Sequence, residues 1–327
     1  MIVTVTPNPS IDRTVTLPGE LVRGAVHRVS SVSSEPGGKG VNVARALRLA
    51  GINVVTVLPA ADHDPILVAL RVIDVDFHAV PVVGAVRTNL AITESDGTTT
   101  KINEPGAVIE PADIDALTQA VIERAQSAQW VVLSGSLPPG MFDSWYSDMV
   151  EVLRPYGCKV AVDTSDAPLA ALAADLERAA PDLIKPNSEE LAGLSGVTAV
   201  SLESALLRGD AAPVVSAAQR LIDRGVGAVL ATLGAAGAVL VNAHGAWLAT
   251  PPPITPRSTV GAGDSSLAGY VRADVEGADA PLRLQMAVAY GSGAAALPGT
   301  AMPSPGQINL DDVVVTAVSI PNPKVPS

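Results

Sequence analysis

The segment STVGAGDS, residues 258–265, places Gly261, Ala262 and Gly263 immediately before Asp264 and the start of an apolar helical pattern. Small residues let a backbone approach another molecule closely, and the first N–H groups of a helix lack intrahelical partners and carry positive potential. Such a turn favours an anion. A carboxylate does not bind an anion, so Asp264 needs another task. An aspartate in a first helical turn can simply cap the helix or complement its dipole. Here the crowded glycines, with Ser258 and Thr259 just ahead, support a second reading. A phosphoryl group held on the amides of Gly261, Ala262 and Gly263 would lie within reach of a carboxylate able to take a proton from an attacking hydroxyl. An anion cradle and a base that orients the nucleophile are what phosphoryl transfer asks of a protein.

Further polar clusters close several strand-like runs: TPNPSID, SGSLPPG, DTS, KPNSEE and TLGAAG. One such loop can be polar for turn reasons alone. Five in succession point to a single crevice, because ligands of open parallel sheets bind beyond the carboxyl ends of the strands. EPGGKGVNVARAL, residues 35–47, is a glycine-rich turn opening a helix. It lacks the glycine spacing of a P-loop, and no strand leads directly into it as a dinucleotide fingerprint requires. GSGAAA at 291–296 has dinucleotide-like spacing but sits inside a helical pattern. The four histidines, His27, His63, His78 and His244, are scattered and do not pair at metal-ligand spacing. Cys158 is the single cysteine, which excludes an intrachain disulfide and a cysteine-rich metal site. It reads as a small buried residue.

The elements that must position these clusters follow from periodicity. IVTVT, NVVTVLP, WVVLSGS, KVAVDTS, DLIKPN and AVLATLG read as strands, and PADIDALTQAVIERAQ and APVVSAAQRLIDRG as helices between them. Strands separated by helices of this length predict parallel βαβ units with helices on both faces. Two segments break the alternation. Residues 12–35 are polar and β-leaning, and residues 78–103 read strand, turn, strand around Asp96-Gly97, a hairpin signal. They form either an irregular edge of the main sheet or a small separate sheet; a lid built from both is the expectation. The Pro-rich end, IPNPKVPS, reads as a loose tail.

Bulk composition narrows the function classes. The chain has 327 residues, of which 48% are hydrophobic and 17% charged, enough for a sizeable core and too apolar for extensive disorder. A net charge of −12 argues against nucleic-acid and anionic-membrane partners but not against a small anionic substrate. No apolar run reaches membrane-spanning length, and MIVTVTPNPS has no basic n-region or leader-type cleavage pattern, so a cytoplasmic protein is expected.

GGKGVNVARAL followed far downstream by STVGAGDS resembles the paired signatures of the PfkB, or ribokinase-like, family of carbohydrate kinases. The likeness covers nearly the whole chain and takes in TPNPSIDRT, RTN, SGSLPPG, KPNSEEL and TLGAAGA, closest to the branch that phosphorylates sugar phosphates. It implies one α/β kinase domain over residues 1–327: a Rossmann-like ribokinase fold, a mostly parallel sheet flanked by helices, with the lid inserted. It implies ATP and Mg²⁺ as cofactors and a phosphorylated ketose as acceptor. Fructose 1-phosphate is expected first, with tagatose 6-phosphate and fructose 6-phosphate as alternatives. A non-catalytic sugar-phosphate sensor is the reading from another class; intact Asp264, Gly261 and Glu190 argue against it, since a binder needs no base.

By the family's motifs, Asp264 takes the place of the catalytic base and Gly261, Ala262 and Gly263 the anion hole. Asp12, Gly37, Gly38, Lys39 and Asn42 match the region that holds sugar hydroxyls. Arg87, Lys101 and Asn103 match positions near the substrate phosphate; alternatively the two basic residues are solvated strand charges. If the hairpin pairs Leu90–Thr93 with Thr98–Lys101, both basic groups are expected near the lid's open end. Asn187 and Glu190 carry the N-x-x-E pattern, which implies Mg²⁺ and phosphate placement, with water-mediated coordination through Glu190. Lys185, Thr232, Gly234 and Gly237 fall in the nucleotide-binding segments. One departure stands out: relatives acting on phosphorylated sugars can carry a lysine near position 26, where this chain reads GAVHRV, leaving Arg28 as a substitute. Exposed sheet edges on the lid make it the surface through which a homodimer could form.

Overall fold

The computed structural model describes residues 1–320; the Pro-rich tail beyond Ile320 lies outside the described residues. The strands in chain order are β1 Ile2–Val5, β2 Ser10–Thr16, β3 Ser31–Gly37, β4 Val54–Ala60, β5 Asp76–Pro81, β6 Arg87–Thr93 and β7 Thr99–Asn103. They continue as β8 Trp130–Ser134, β9 Lys159–Asp163, β10 Leu183–Ile184, β11 Ala228–Thr232, β12 Ala238–Asn242, β13 Gly245–Thr250 and β14 Val314–Val318.

Ten of these make one sheet, in the order β14-β13-β12-β11-β10-β9-β8-β1-β4-β5. From β11 to β5 every pairing is parallel; β12, β13 and β14 extend the β11 edge antiparallel. Strands buried on both faces need apolar residues at successive positions. Ile2 and Val132 pack into the core on one face, while Val3, Val5, Val131 and Leu133 pack into the core on the other. The helices that cover the sheet include Lys39–Leu49, Pro111–Ala125, Ala212–Ile222, Ala262–Val275 and Ala280–Ala295. Among the described residues no single helix is long and apolar enough to cross a membrane.

Strand order reverses at β1, whose neighbours are β4 on one side and β8 on the other. The carboxyl ends there form a crevice. The chain leaves the sheet on both sides of this point to build a second, four-stranded sheet, ordered β3-β2-β6-β7. Its hairpin turns at Asp96-Gly97, with Gly97 at φ 93° and Thr98 N–H donating to Asp96 Oδ1 at 2.8 Å. Glycine takes that left-handed conformation without a Cβ clash.

Two features differ from the sequence-based expectation. Residues 78–81 belong to β5 of the large sheet, where His78 lies alongside Val57, so the small sheet's second segment begins at Arg87. Its first segment runs from Ser10 to Gly37, slightly wider than 12–35. The antiparallel extension was not anticipated either. AVLVNAHGAWLAT is a strand, a tight turn and a strand, but only its β11 neighbour, in AVLATLG, was read as a strand of the mostly parallel sheet.

Candidate active site

The helix Ala262–Val275 begins in the crevice. Gly261 is its N-cap with φ 76°, and a Cβ there would meet Met302 Cε at 2.6 Å. No side chain caps this N-terminus. The Ala262 N–H leans on Thr259 O at 3.4 Å, and Ser265 N–H closes the first turn on Gly261 O at 2.8 Å. Gly263 faces Lys185, whose Nζ would stand 3.2 Å from a Cβ at that position. An ammonium therefore lies beside the open helix end, which sums two positive potentials.

Asp264 in the first turn is only 7% exposed. Asn42 Nδ2 donates to its Oδ2 at 2.9 Å. Burial, and then the nearby charge of Asp163, raises the Asp264 carboxyl from its ordinary 3.8 to about 6, against the opposing pull of Lys39, Asn42 and Lys185. A carboxylate held near that value takes and releases a proton close to neutral pH.

Asp163, at the end of β9, is fully buried and flanked by two ammonium groups: Lys39 Nζ at 3.0 Å from Oδ1 and Lys185 Nζ at 3.3 Å from Oδ2. Burial alone would raise its carboxyl, but Lys185 and Lys39 hold it below the usual range. Lys39 in turn is penalised by burial yet lifted above its ordinary value by Asp163, Asp264 and Glu190. Four segments thus meet around one charge cluster.

The connection after β10 runs from Lys185 to Asn187, and Glu190 follows in the first turn of the next helix. Asn187 and Glu190 form a reciprocal capping box on the helix Ser188–Ser195: Glu190 N–H donates to Asn187 Oδ1 at 2.8 Å, and Asn187 N–H to Glu190 Oε2 at 2.8 Å. This local bonding alone accounts for the N-x-x-E spacing, while burial raises the Glu190 carboxyl and Lys39 and Lys185 pull it down. Asn187 pairs in register with Thr232 at the end of β11. Gly234 and Gly237 shape the following turn; a Cβ on Gly237, at φ 111°, would overlap the Ala249 carbonyl.

The small sheet supplies the other wall. Pairing places Ser10, Gly37 and Arg87 in one row, Asp12, Glu35, Asn89 and Asn103 in the next, and Ser33, Ala91 and Lys101 with Thr14 in the third, all on one face. Asn89 Nδ2 donates to Asp12 Oδ1 at 3.0 Å and to Ser10 Oγ at 3.1 Å. A Cβ on Gly37 would collide with the Asp12 carboxylate, and one on Gly38, at φ 105°, would meet Thr6 Cγ2 at 2.5 Å. Arg87 reaches Ser136 Oγ at 3.3 Å and the Glu104 carbonyl at 3.2 Å, and its Nε is buried without a partner. Burial lowers the Arg87 guanidinium somewhat, with Asp12 opposing. Ser136 also accepts from Asn8 Nδ2 at 3.3 Å.

Lys101 departs from expectation. It shares the face of Arg87 but sits opposite Ala91, four residues farther along the sheet. At the rise of an extended strand that separates the backbones by about 13 Å. The two basic groups therefore do not cluster, and Lys101 is exposed. Arg28 lies in the exposed loop between β2 and β3.

Several residues of this site escaped the sequence reading. Asp163 stood in the noted DTS cluster and Asn89 in RTN, but neither side chain was assigned a place. Ser136 ended the WVVLSGS strand. Arg45 and Glu35 stood within EPGGKGVNVARAL without an assigned role, and the fold pairs them.

The pfkB family carbohydrate kinases match residues 6–306. A 1-phosphofructokinase of Rhodobacter capsulatus is 38% identical over 327 residues, covering 98% of each chain. The crystal structure of the phosphofructokinase-2 from Escherichia coli in complex with substrates and products aligns with TM-score 0.84 at 30% identity, over 94% of this chain and 96% of that one. A ribokinase from Thermotoga maritima shares the fold, with TM-score 0.72 at 18% identity, over 94% of this chain and 97% of the other.

Proposed function

The chain belongs to the pfkB family of carbohydrate kinases and is a sugar-phosphate kinase of an ATP-using family, and from that premise we propose fructose 1-phosphate as its acceptor and Asp264 as its general base. The observation that carries the base is the pairing of a buried carboxylate, raised to about 6, with the uncapped helix N-terminus directly before it. The acceptor is supported by the 1-phosphofructokinase relative, similar over its full length.

In this reading the small sheet is a lid, and Asp12, Asn42 and Lys39, with the backbone at Gly37 and Gly38, hold the sugar hydroxyls. Carboxylate and amide oxygens accept, and amide and ammonium groups donate. Asp264 takes the proton of the free primary hydroxyl as that oxygen attacks the terminal phosphorus of ATP. The amides of Gly261, Ala262 and Gly263 receive the growing charge on the transferred oxygens, and Lys185 reinforces them. Lys185, Asn187, Thr232, Gly234 and Gly237 line the nucleotide side. Closure of the lid excludes water and limits idle ATP hydrolysis.

Among the described residues no cluster of three or more His, Cys, Asp or Glu side chains could hold a metal. Mg²⁺ binds through one or two carboxylates, phosphates and water rather than a protein cage. Glu190, already oriented by its capping box, would hold it, directly or through water. When bound, the ion neutralises phosphate charge.

Arg87 with Ser136 is the best-supported seat for the substrate phosphate: a half-buried guanidinium with only two of its five N–H donors engaged, beside a hydroxyl. A homodimer through the exposed edges of the lid is also proposed. Coupled ADP release measured with fructose 1-phosphate, fructose 6-phosphate, tagatose 6-phosphate and fructose tests the acceptor. The highest kcat/KM is expected for fructose 1-phosphate. A preference for either alternative would replace the acceptor, and equal use of fructose would remove the phosphate seat.

A further inference from the structure

We propose that Arg45 is a positioning residue for the base, gripped by strand β3 and fixing the Asn42 amide so that its N–H₂ faces Asp264. This rests on the reading of Asp264 as base. Asn42 and Arg45 are three residues apart on one helix face, in the helix Lys39–Leu49. The Arg45 side chain is only 10% exposed. Its Nη1 reaches Asn42 Oδ1 at 3.4 Å and the Pro36 carbonyl at 3.3 Å, and its Nη2 pairs with Glu35 Oε2. Glu35 also accepts from Thr300 Oγ1 at 2.9 Å. Four groups on three separate segments therefore form one chain: Glu35, Arg45, Asn42, Asp264.

The chemistry of the links gives this chain a direction. A guanidinium only donates, and an ionised carboxylate only accepts. An amide lying between them satisfies both in one orientation, with oxygen toward Arg45 and nitrogen toward Asp264. Turned over, it would set its nitrogen against the guanidinium and its oxygen against the carboxylate. The two orientations have nearly the same shape, so packing alone selects neither. Arg45 selects. Asp264 Oδ2 is then engaged by Asn42, and Oδ1 is left for the hydroxyl of the acceptor. The other groups that face Asp264 are Lys39 from the same helix as Asn42, Asp163 from β9 and Lys185 from the loop after β10. Lys39 and Lys185 are occupied with Asp163. Glu35 lies directly across from Asp12 in the small sheet, so the strand pair that reaches over the crevice also grips Arg45.

A double-mutant cycle tests the inference. Arg45→Ala is expected to lower kcat about tenfold while leaving KM for ATP within about twofold. The acid limb of kcat/KM should move to higher pH, because the released amide can turn its carbonyl onto Asp264 and favour the protonated form. Arg45→Lys keeps one donor and should recover part of both effects. In an Asn42→Ala background, Arg45→Ala should change kcat and the limb by less than about twofold, since no amide remains to be oriented. Equal costs in the two backgrounds, or an unmoved limb in Arg45→Ala, would overturn the proposal. Glu35→Gln covers the case in which Arg45→Ala does not fold. It weakens the grip on Arg45 and should move the limb the same way by a smaller amount; no movement counts against the proposal. Asp264→Asn separates the two failures. Wild-type turnover in that variant removes the base and this inference with it, whereas an inactive Asp264→Asn beside additive Arg45 costs removes this inference alone.

Discussion

Lys39 Nζ stands 3.0 Å from Asp163 Oδ1, joining the glycine-rich turn to the end of β9 across 124 residues of chain. Lys185 approaches the other oxygen of the same carboxylate at 3.3 Å. One buried negative charge thus holds two cations that serve, in the proposed mechanism, opposite sides of the crevice.

Removal of that charge is predicted to cost stability. Asp163→Asn leaves Lys185, whose side chain is 5% exposed, without its counter-charge, and breaking a buried pair costs about 3–5 kcal/mol. The pH dependence has a definite sign. The Asp163 carboxyl is held below its ordinary 3.8 in the folded chain, so its contribution is present above 3.8 and fades as pH falls through the lowered value. Urea unfolding at pH 7 and pH 3 checks this: the wild-type advantage over Asp163→Asn should be large at the first and reduced at the second.

Asp264 is predicted to behave in the opposite sense. Its carboxyl is raised to about 6 by burial and by Asp163, so the folded chain binds a proton that the unfolded chain lacks between 3.8 and about 6. The stability from that proton is complete below 3.8 and lost as pH rises through about 6. Asp264→Asn, neutral at all pH, should therefore melt higher than wild type at pH 8 while losing about 10²–10⁴-fold in kcat. Wild-type kcat/KM should fall about tenfold per pH unit below 6. A variant that melts lower at pH 8, or turns over normally, contradicts the assignment.

How much of this was legible in the sequence follows from how local each signal is. The β-branched runs around Val3, Val131 and Val162 declare buried strands because both faces are covered, and periodicity records that directly. Gly261 and Asp264 stand three residues apart, so their shared place at one helix start was readable. Asp163, Arg45 and Glu35 lie in clusters the sequence marked, but their partners stand as far as 265 residues away, so the motifs did not say which of their side chains meet. Lys101 shows the converse. The turn at Asp96-Gly97 was read correctly, but Leu90–Thr93 pairs with Thr99–Ile102, one residue beyond the expected Thr98–Lys101, because register is not fixed by composition.

Glu190 allows a substitution that separates charge from folding. In Glu190→Gln the side chain can still accept from the Asn187 N–H, because glutamine serves at this position of a capping box. The helix Ser188–Ser195 should therefore keep its start, with a melting temperature close to wild type. Loss of the carboxylate should raise the Mg²⁺ concentration for half-maximal rate, by about tenfold, with KM for the sugar phosphate nearly unchanged. An unchanged Mg²⁺ titration would leave Glu190 as a helix cap and nothing more.

Arg87 and Lys101 are predicted to differ, because the small sheet places them in separate rows. Arg87 touches Ser136 at the base of the sheet, where the crevice begins, and its Nε is buried with no acceptor. In the proposed function the substrate phosphate accepts from this guanidinium, and a charge-assisted bond of this type is worth about 1.5–3 kcal/mol. Arg87→Ala should raise KM for fructose 1-phosphate by roughly one to two decades and leave KM for ATP within about twofold. Lys101 is exposed and stands about 13 Å farther along the strands. Solvent and salt weaken any attraction it exerts, so Lys101→Ala should raise the same KM by only about twofold, and less in 0.5 M salt than at low ionic strength. Steady-state kinetics of both variants, with each substrate varied in turn, read the difference. Equal losses for the two would mean that the phosphate sits between the rows, over Asn89 and Asn103. A larger loss for Lys101 would move it to the outer end of the lid.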